Sequence, residues 1–105
     1  MADKDQLIVL LSRHVGEGNG MTAEQIAAAL DTTQRQVRTL VSELRTAGTA
    51  LCGHPRDGYY IAATDEELER TCQFLRSRAM HSLALESKLR HVPLPDLLGQ
   101  LRLKT

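Results

Sequence analysis

With 105 residues, 42% hydrophobic and 25% charged, the chain has the size and composition of one soluble globular domain. Its formal net charge of zero excludes a strong overall field that would draw it onto nucleic acid or a membrane surface. It has no apolar run of membrane-spanning length, no signal-peptide pattern and only two cysteines, so we expect a reduced, cytoplasmic location.

Three helices are predicted in the first half of the chain. The first covers residues 3–15, where apolar side chains recur at helical spacing as far as Val15 before a glycine-rich loop. The second covers residues 22–31 and opens with threonine followed by glutamine three residues later, which is a capping-box pattern. The third covers residues 33–47 and repeats that opening; Gly48 follows it at the position where glycine commonly ends a helix.

A hairpin and a long helix are predicted to follow. The runs 49–52 and 59–62 flank a segment dense in glycine, proline and aspartate, which indicates a β-hairpin with an exposed tip. Thr64 opens another capping box and a helix that could reach Arg90. One or two helical turns at most would follow Pro95.

The order helix, helix, tight turn, helix, hairpin is that of a winged helix-turn-helix. The turn segment reads AEQIAAALDTTQRQVRTL, with small and apolar residues where the two helices must cross. The stretch LRTAGTALCGHPRDGYYIA resembles the wing of the biotin-repressor type of DNA-binding domain, and the resemblance covers residues 7–62. The chain departs from that family at Asp31 and Thr32, in place of glycine and a branched aliphatic residue; aspartate tolerates a left-handed turn.

The resemblance implies a fold that is mainly α with a small β-hairpin wing, and the residue pattern after Thr64 adds a long C-terminal helix. We divide the chain into a winged helix-turn-helix domain at 1–63, the long helix at 64–91 and a proline-containing tail at 92–105. In such a domain the third helix enters the major groove of duplex DNA, and the wing lies on its flank.

The polar face of the third helix supplies the candidate DNA contacts. Side chains near the start of a helix in the major groove reach base edges, and the predicted base contacts are Gln34, Arg35 and Arg38. The predicted phosphate contacts are Thr33, Thr39, Ser42 and Arg45. At the wing tip the candidates are His54 and Arg56. Residues 32–60 carry a net charge of +2 against −3 for residues 1–31. The alternative is an ordinary amphipathic helix with a solvated polar face.

The long helix carries an apolar stripe that the first helix is too short to cover. Because uncovered apolar stripes mark partner surfaces, we expect a homodimer that presents two copies of the third helix to a pseudo-palindromic site. The predicted interface residues are Leu68, Cys72, Leu75, Ala79 and Leu83. The alternative is a monomer in which this helix folds back over the first. The tail from Leu94 is interpreted as an anchor for another protein or a strap over the core.

The sequence contains no catalytic set, and we expect no enzymatic activity, no cofactor and no metal. The four histidines lie on different elements without ligand spacing among themselves or with the cysteines. Cys52 and Cys72 are interpreted as small core residues, and one of Tyr59 and Tyr60 should face the core. We therefore predict a sequence-specific protein that binds double-stranded DNA, a transcriptional regulator of bacterial or phage origin. The alternative is a winged-helix adaptor that binds protein.

Overall fold

The computed structural model describes residues 2–101, and within them the chain forms five α-helices and one two-stranded antiparallel sheet. The helices are α1 (Lys4–Leu11), α2 (Ala23–Ala29), α3 (Gln34–Thr46), α4 (Asp65–Arg90) and α5 (Leu94–Gln100). The strands are β1 (Leu51–His54) and β2 (Gly58–Ile61), and a short 3₁₀ turn covers Glu17–Asn19. The predicted fold, mainly α with a small hairpin and a long helix, is confirmed.

Side-chain caps set the helix starts: those at Thr22 and Thr33 were predicted from the sequence pattern, and the one at Asp3 was not. Asp3 and Thr22 each accept a hydrogen bond from the amide of a glutamine three residues on, and that glutamine's side chain accepts from the cap's own amide. At α3, the Thr33 hydroxyl accepts from the Gln36 amide at 3.1 Å. Each cap satisfies an amide that the first helical turn leaves without a partner.

Three helices end in a residue with left-handed backbone. Asp31 follows α2 with φ 52°, Gly48 follows α3 with φ 92°, and His91 follows α4 with φ 56°. At α2 the amide of Thr32 donates to Ala27 O at 2.9 Å, the long bond of a Schellman motif. The predicted left-handed turn at Asp31 is therefore confirmed, and it turns the chain sharply from α2 into α3.

The core consists of aliphatic side chains from α1, α2, α3 and β1, as the scarcity of aromatic residues requires. α3 packs against each of the other three elements and lies at the centre of this arrangement. The buried core residues are Ala2, Leu7, Leu11, Ile26, Ala27, Val37, Leu40, Val41, Leu44 and Leu51. Their burial fixes which face of α3 points outward.

The segment after α1 differs from the prediction. The first helix ends at Leu11 rather than continuing to residue 15, and Val15 lies in an isolated parallel bridge to Ile61. Met21 and Tyr59 exchange backbone hydrogen bonds of 2.8 and 2.6 Å. Residues 14–21 thus pair with the outer edge of β2, because that edge presents amides and carbonyls that need partners.

The hairpin extends further toward its tip than the sequence pattern indicated. Gly53 and His54, predicted as turn residues, pair with Tyr59 and Gly58. Gly58 has φ 75°, and a Cβ there would collide with the backbone of Met21, so only glycine fits this position. The turn itself is confined to three residues, 55–57.

The chain divides into two compact units between Thr71 and Cys72. This division lies eight residues beyond our sequence-based boundary at residue 63, since the start of α4 belongs to the first unit. There the Glu67 carboxylate accepts from the amide of Glu17 at 3.0 Å, and Arg70 forms an ion pair of 2.8 Å with the Glu17 carboxylate.

The second unit contains the rest of α4 and α5. Two hydrogen bonds close the turn between them. The Ser87 hydroxyl donates to Val92 O, and the Val92 amide donates to Ser87 O. α5 spans about two turns and includes Pro95, as expected, and its Leu97 is buried. Residues 102–105 of the predicted tail lie outside the described residues, and whether the tail anchors a partner or straps the core stays a prediction.

Candidate nucleic-acid interface

α3 has one buried face and one exposed face. Val37, Leu40, Val41 and Leu44 are at most 4% exposed, because they meet α1, α2 and β1 across the core. The sequence-predicted site residues on the other side of the helix are all exposed: Gln34, Arg35, Arg38, Thr39 and Ser42. The structure therefore brings the proposed base contacts and most of the proposed phosphate contacts onto one continuous face.

The two candidate base-reading arginines lie within the first two turns of α3. Among residues 2–101, neither Arg35 nor Arg38 forms an ion pair. Gln34 is the first residue of α3, so all three side chains lie near the N-terminus of the helix. This is the part of a recognition helix that contacts base edges in the major groove. Planar guanidinium and carboxamide groups suit bidentate recognition of guanine and adenine.

The start of α3 adds backbone donors to this face. The Thr33 hydroxyl binds the Gln36 amide, which leaves the amides of Gln34 and Arg35 at the positive end of the helix dipole. Amides at a helix start favour an anion such as a phosphate. The Thr39 hydroxyl donates to Arg35 O at 3.2 Å, so its proton is already used within the helix.

Arg45 serves the domain itself. Its Nε donates to Leu51 O at 2.8 Å, and its guanidinium lies 6.0 Å from the centre of the Tyr59 ring. A Cβ on Gly53 would approach Tyr59 Cδ1 to 2.8 Å, so these side chains pack directly on the strand backbone. The half-buried Arg45 thus connects the end of α3 to both strands, which sequence spacing alone did not reveal.

The hairpin tip holds the last two candidate residues. The His54 imidazole accepts from the Arg56 amide at 3.1 Å and lies 3.9 Å from the Asp57 carboxylate. His54 therefore shapes the turn with its Nδ1, while the exposed Arg56 presents the positive charge of the tip. The neighbouring Asp57 offsets much of that charge.

The tyrosines and cysteines divide between inside and outside. Tyr60 is 4% exposed, and this burial raises the pKa of its phenol, whereas Tyr59 is half-buried beneath Arg45. Tyr59 packs against the hydrophobic core cluster, whereas Tyr60 is buried outside it, so the expectation that one tyrosine faces the core holds for Tyr59. Cys52 is buried as predicted, but the core assignment of Cys72 is wrong, because Cys72 is exposed on α4.

Two absences hold within residues 2–101. No group of three histidine, cysteine, aspartate or glutamate side chains is assembled that could hold a metal ion. No helix there is both long and apolar enough to cross a membrane.

The class that the fold defines is a mainly helical protein with a small antiparallel hairpin and one long helix. No protein-family model, no curated protein and no solved structure matches the chain. The site consists of an exposed, cationic helix start beside a hairpin that Arg45 connects to the same helix.

Proposed function

We propose that the first unit is a winged helix-turn-helix that binds double-stranded DNA sequence-specifically, with α3 in the major groove and the β1–β2 hairpin as the wing on its flank. The observation that carries the proposal is the exposed face of α3. Gln34, Arg35 and Arg38 are exposed there, directly opposite four core residues that hold the helix in place, and neither arginine forms an ion pair within residues 2–101.

In this proposal Arg35 and Arg38 read guanine through O6 and N7, and Gln34 reads adenine. Each bidentate pair discriminates against the wrong base by about 1–3 kcal/mol. Rigidity of the reader matters because a base contact requires alignment within a fraction of an ångström. The buried face of α3 supplies that rigidity, since its four core side chains leave the helix little freedom to rotate or slide.

Phosphate contacts fix the register of the complex. The free amides at the start of α3 and the side chains of Thr33 and Ser42 would grip one strand, and Arg56 at the wing tip would reach the flanking backbone or minor groove. Arg45 fixes the wing relative to α3, so the two contact elements approach DNA as one body. We expect affinity to fall steeply with salt, with a slope of log K against log salt of about −0.9 for each phosphate that an arginine or lysine neutralises.

Because the activity proposed for the first unit is sequence-specific DNA binding, we also propose a role in regulating transcription in a bacterium or phage, in the cytoplasm. Acidic residues near the site have other duties: Asp31 forms a turn and Asp57 lies in the hairpin turn. Asp57 lies 3.9 Å from the His54 imidazole, and both residues shape the hairpin turn.

The test begins with selection of bound sequences from a random duplex pool, followed by fluorescence anisotropy on the selected site. Arg35→Ala and Arg38→Ala should each weaken specific binding about 10- to 100-fold while leaving the weaker binding to unrelated duplexes nearly unchanged. Lys88→Ala is the matched control, because it removes the same charge from the exposed end of α4.

Failure to enrich any sequence, or equal losses for all three variants, would overturn the proposal. That result would favour the alternative, a winged-helix adaptor that binds protein. It predicts that the arginine variants are silent and that truncation after Val92 abolishes partner binding.

A further inference from the structure

α4 carries a row of exposed apolar side chains at the spacing used by two-stranded coiled coils. Leu68, Cys72, Leu75 and Ala79 follow one another at intervals of four, three and four residues and therefore lie along one side of this continuous helix. Leu68 and Leu75 are 36% and 42% exposed, and Cys72 and Ala79 are exposed as well. Leu83, which we also predicted in the interface, is half-buried and lies beyond this row.

Charge is segregated along the same helix. Residues 65–73 contain four acidic side chains and one arginine, a net charge of −3, while residues 74–82 contain Arg76 and Arg78 and no acid, a net charge of +2. Two copies packed in parallel would oppose like charges along their whole length. Two copies packed antiparallel would oppose the acidic half of each to the basic half of the other.

We propose that the exposed row on α4 is a homodimer interface in which a second copy of the chain packs antiparallel, with the two-fold axis passing between Gln73 and Phe74. Leu68 then faces Ala79 of the partner subunit, and Cys72 faces Leu75 of the partner subunit. This register is the one that buries all four apolar side chains against one another. Its overlap, residues 65–82, is about 27 Å long at 1.5 Å per residue.

The same register assigns one flanking charge pair. Glu69 and Arg76 are seven residues apart and therefore occupy the same heptad position, beside the apolar row. In an antiparallel pair of helices, residues at this position of one helix face residues at the same position of the other. Glu69 therefore faces Arg76 of the partner subunit, and two-fold symmetry gives the dimer two such pairs. In a parallel pair the two residues would not meet.

Sedimentation equilibrium of the full chain without DNA tests the arrangement. The unaltered protein should dimerise reversibly, and Leu75→Glu should be monomeric at the same concentrations while keeping its helical circular dichroism, because Leu75 is exposed in the single chain. Glu69→Arg and Arg76→Glu alone should each weaken the dimer about tenfold, and the double variant should recover most of that loss. Lys88→Glu, outside the overlap, should change nothing.

The proposal would be overturned if the protein stayed monomeric at all concentrations up to about 100 μM. A dimer in which the charge reversals have no effect or do not compensate would also overturn it, since that result fits a parallel or different interface. The measurement needs no DNA, so its outcome is independent of the proposed function. Together with that function, a two-fold dimer predicts an inverted repeat in the selected sequences.

Discussion

α3 and α4 are helices of opposite character. α3 has 13 residues and buries four of them, whereas α4 has 26 residues and, among its described side chains, buries only Thr71. The position of α3 is set by the core, and its outward face is polar and cationic. α4 depends on local terms such as acids in its first turn, bases in its last and the Arg90–Glu86 pair at 2.7 Å. The comparison teaches that the shorter helix is held in place by the core, whereas the longer one offers exposed apolar surface.

Each helix is also tied at one end by a charged side chain that binds backbone. Arg45 near the end of α3 donates to Leu51 O, and Glu67 near the start of α4 accepts from the amides of Ala63 and Glu17. Both ties connect helices to segments that sequence patterns treat as separate elements. Removing them should reveal how much of each helix's position depends on its neighbours.

The largest expected effect is the difference in stability loss between truncating a buried leucine on α3 and an exposed leucine on α4. Leu40→Ala on α3 removes a side chain that is 3% exposed and should lower the free energy of unfolding by about 2–5 kcal/mol through lost burial and a residual cavity. Leu89→Ala on α4, at a site that is 82% exposed, should change it by less than about 0.5 kcal/mol. Urea unfolding followed by circular dichroism measures both. Similar losses for the two variants would contradict the contrast between the helices.

A smaller effect is expected at the tie between α3 and the hairpin. Arg45→Lys keeps the positive charge but removes Nε, so Leu51 O loses its partner, and we expect a loss of about 1 kcal/mol in stability. Amide hydrogen exchange should accelerate in β1 and β2 more than in α2. Arg56→Lys at the exposed tip is the matched control. Unchanged exchange in the strands would show that the hairpin does not depend on Arg45.

The smallest expected effect is on the pH dependence of stability at the Glu67 carboxylate. Hydrogen bonds from the amides of Ala63 and Glu17 hold the pKa of Glu67 below its ordinary value. A carboxylate with a lowered folded-state pKa stabilises the fold above its unfolded value, and that contribution is lost progressively as the pH falls through the folded value. Glu67→Gln should therefore be less stable at neutral pH and lose stability less steeply in acid. The exposed Glu66→Gln serves as control in the same urea titrations, and identical pH profiles for all three proteins would refute the role of Glu67.

Local sequence signals were sufficient wherever the physics is local. The caps at Thr22 and Thr33, the ends at Asp31 and Gly48 and the division of α3 into two faces all follow from interactions within about four residues. The exposed candidates Gln34, Arg35 and Arg38 could be predicted for the same reason. Once the buried face of a helix is known from its periodicity, the opposite face is determined.

The tertiary structure decided what depends on residues distant in the chain. The pairing of residues 14–21 with β2 leaves no periodic pattern, because single bridges need only backbone groups. The commitment of Arg45 to Leu51 and the binding of Glu67 to the Glu17 amide likewise depend on which backbone atoms folding brings within reach. The helical periodicity assigned Cys72 to the apolar side of α4 but could not predict that Cys72 is exposed. A helix pattern identifies an apolar side, and only the neighbouring elements determine whether that side is covered.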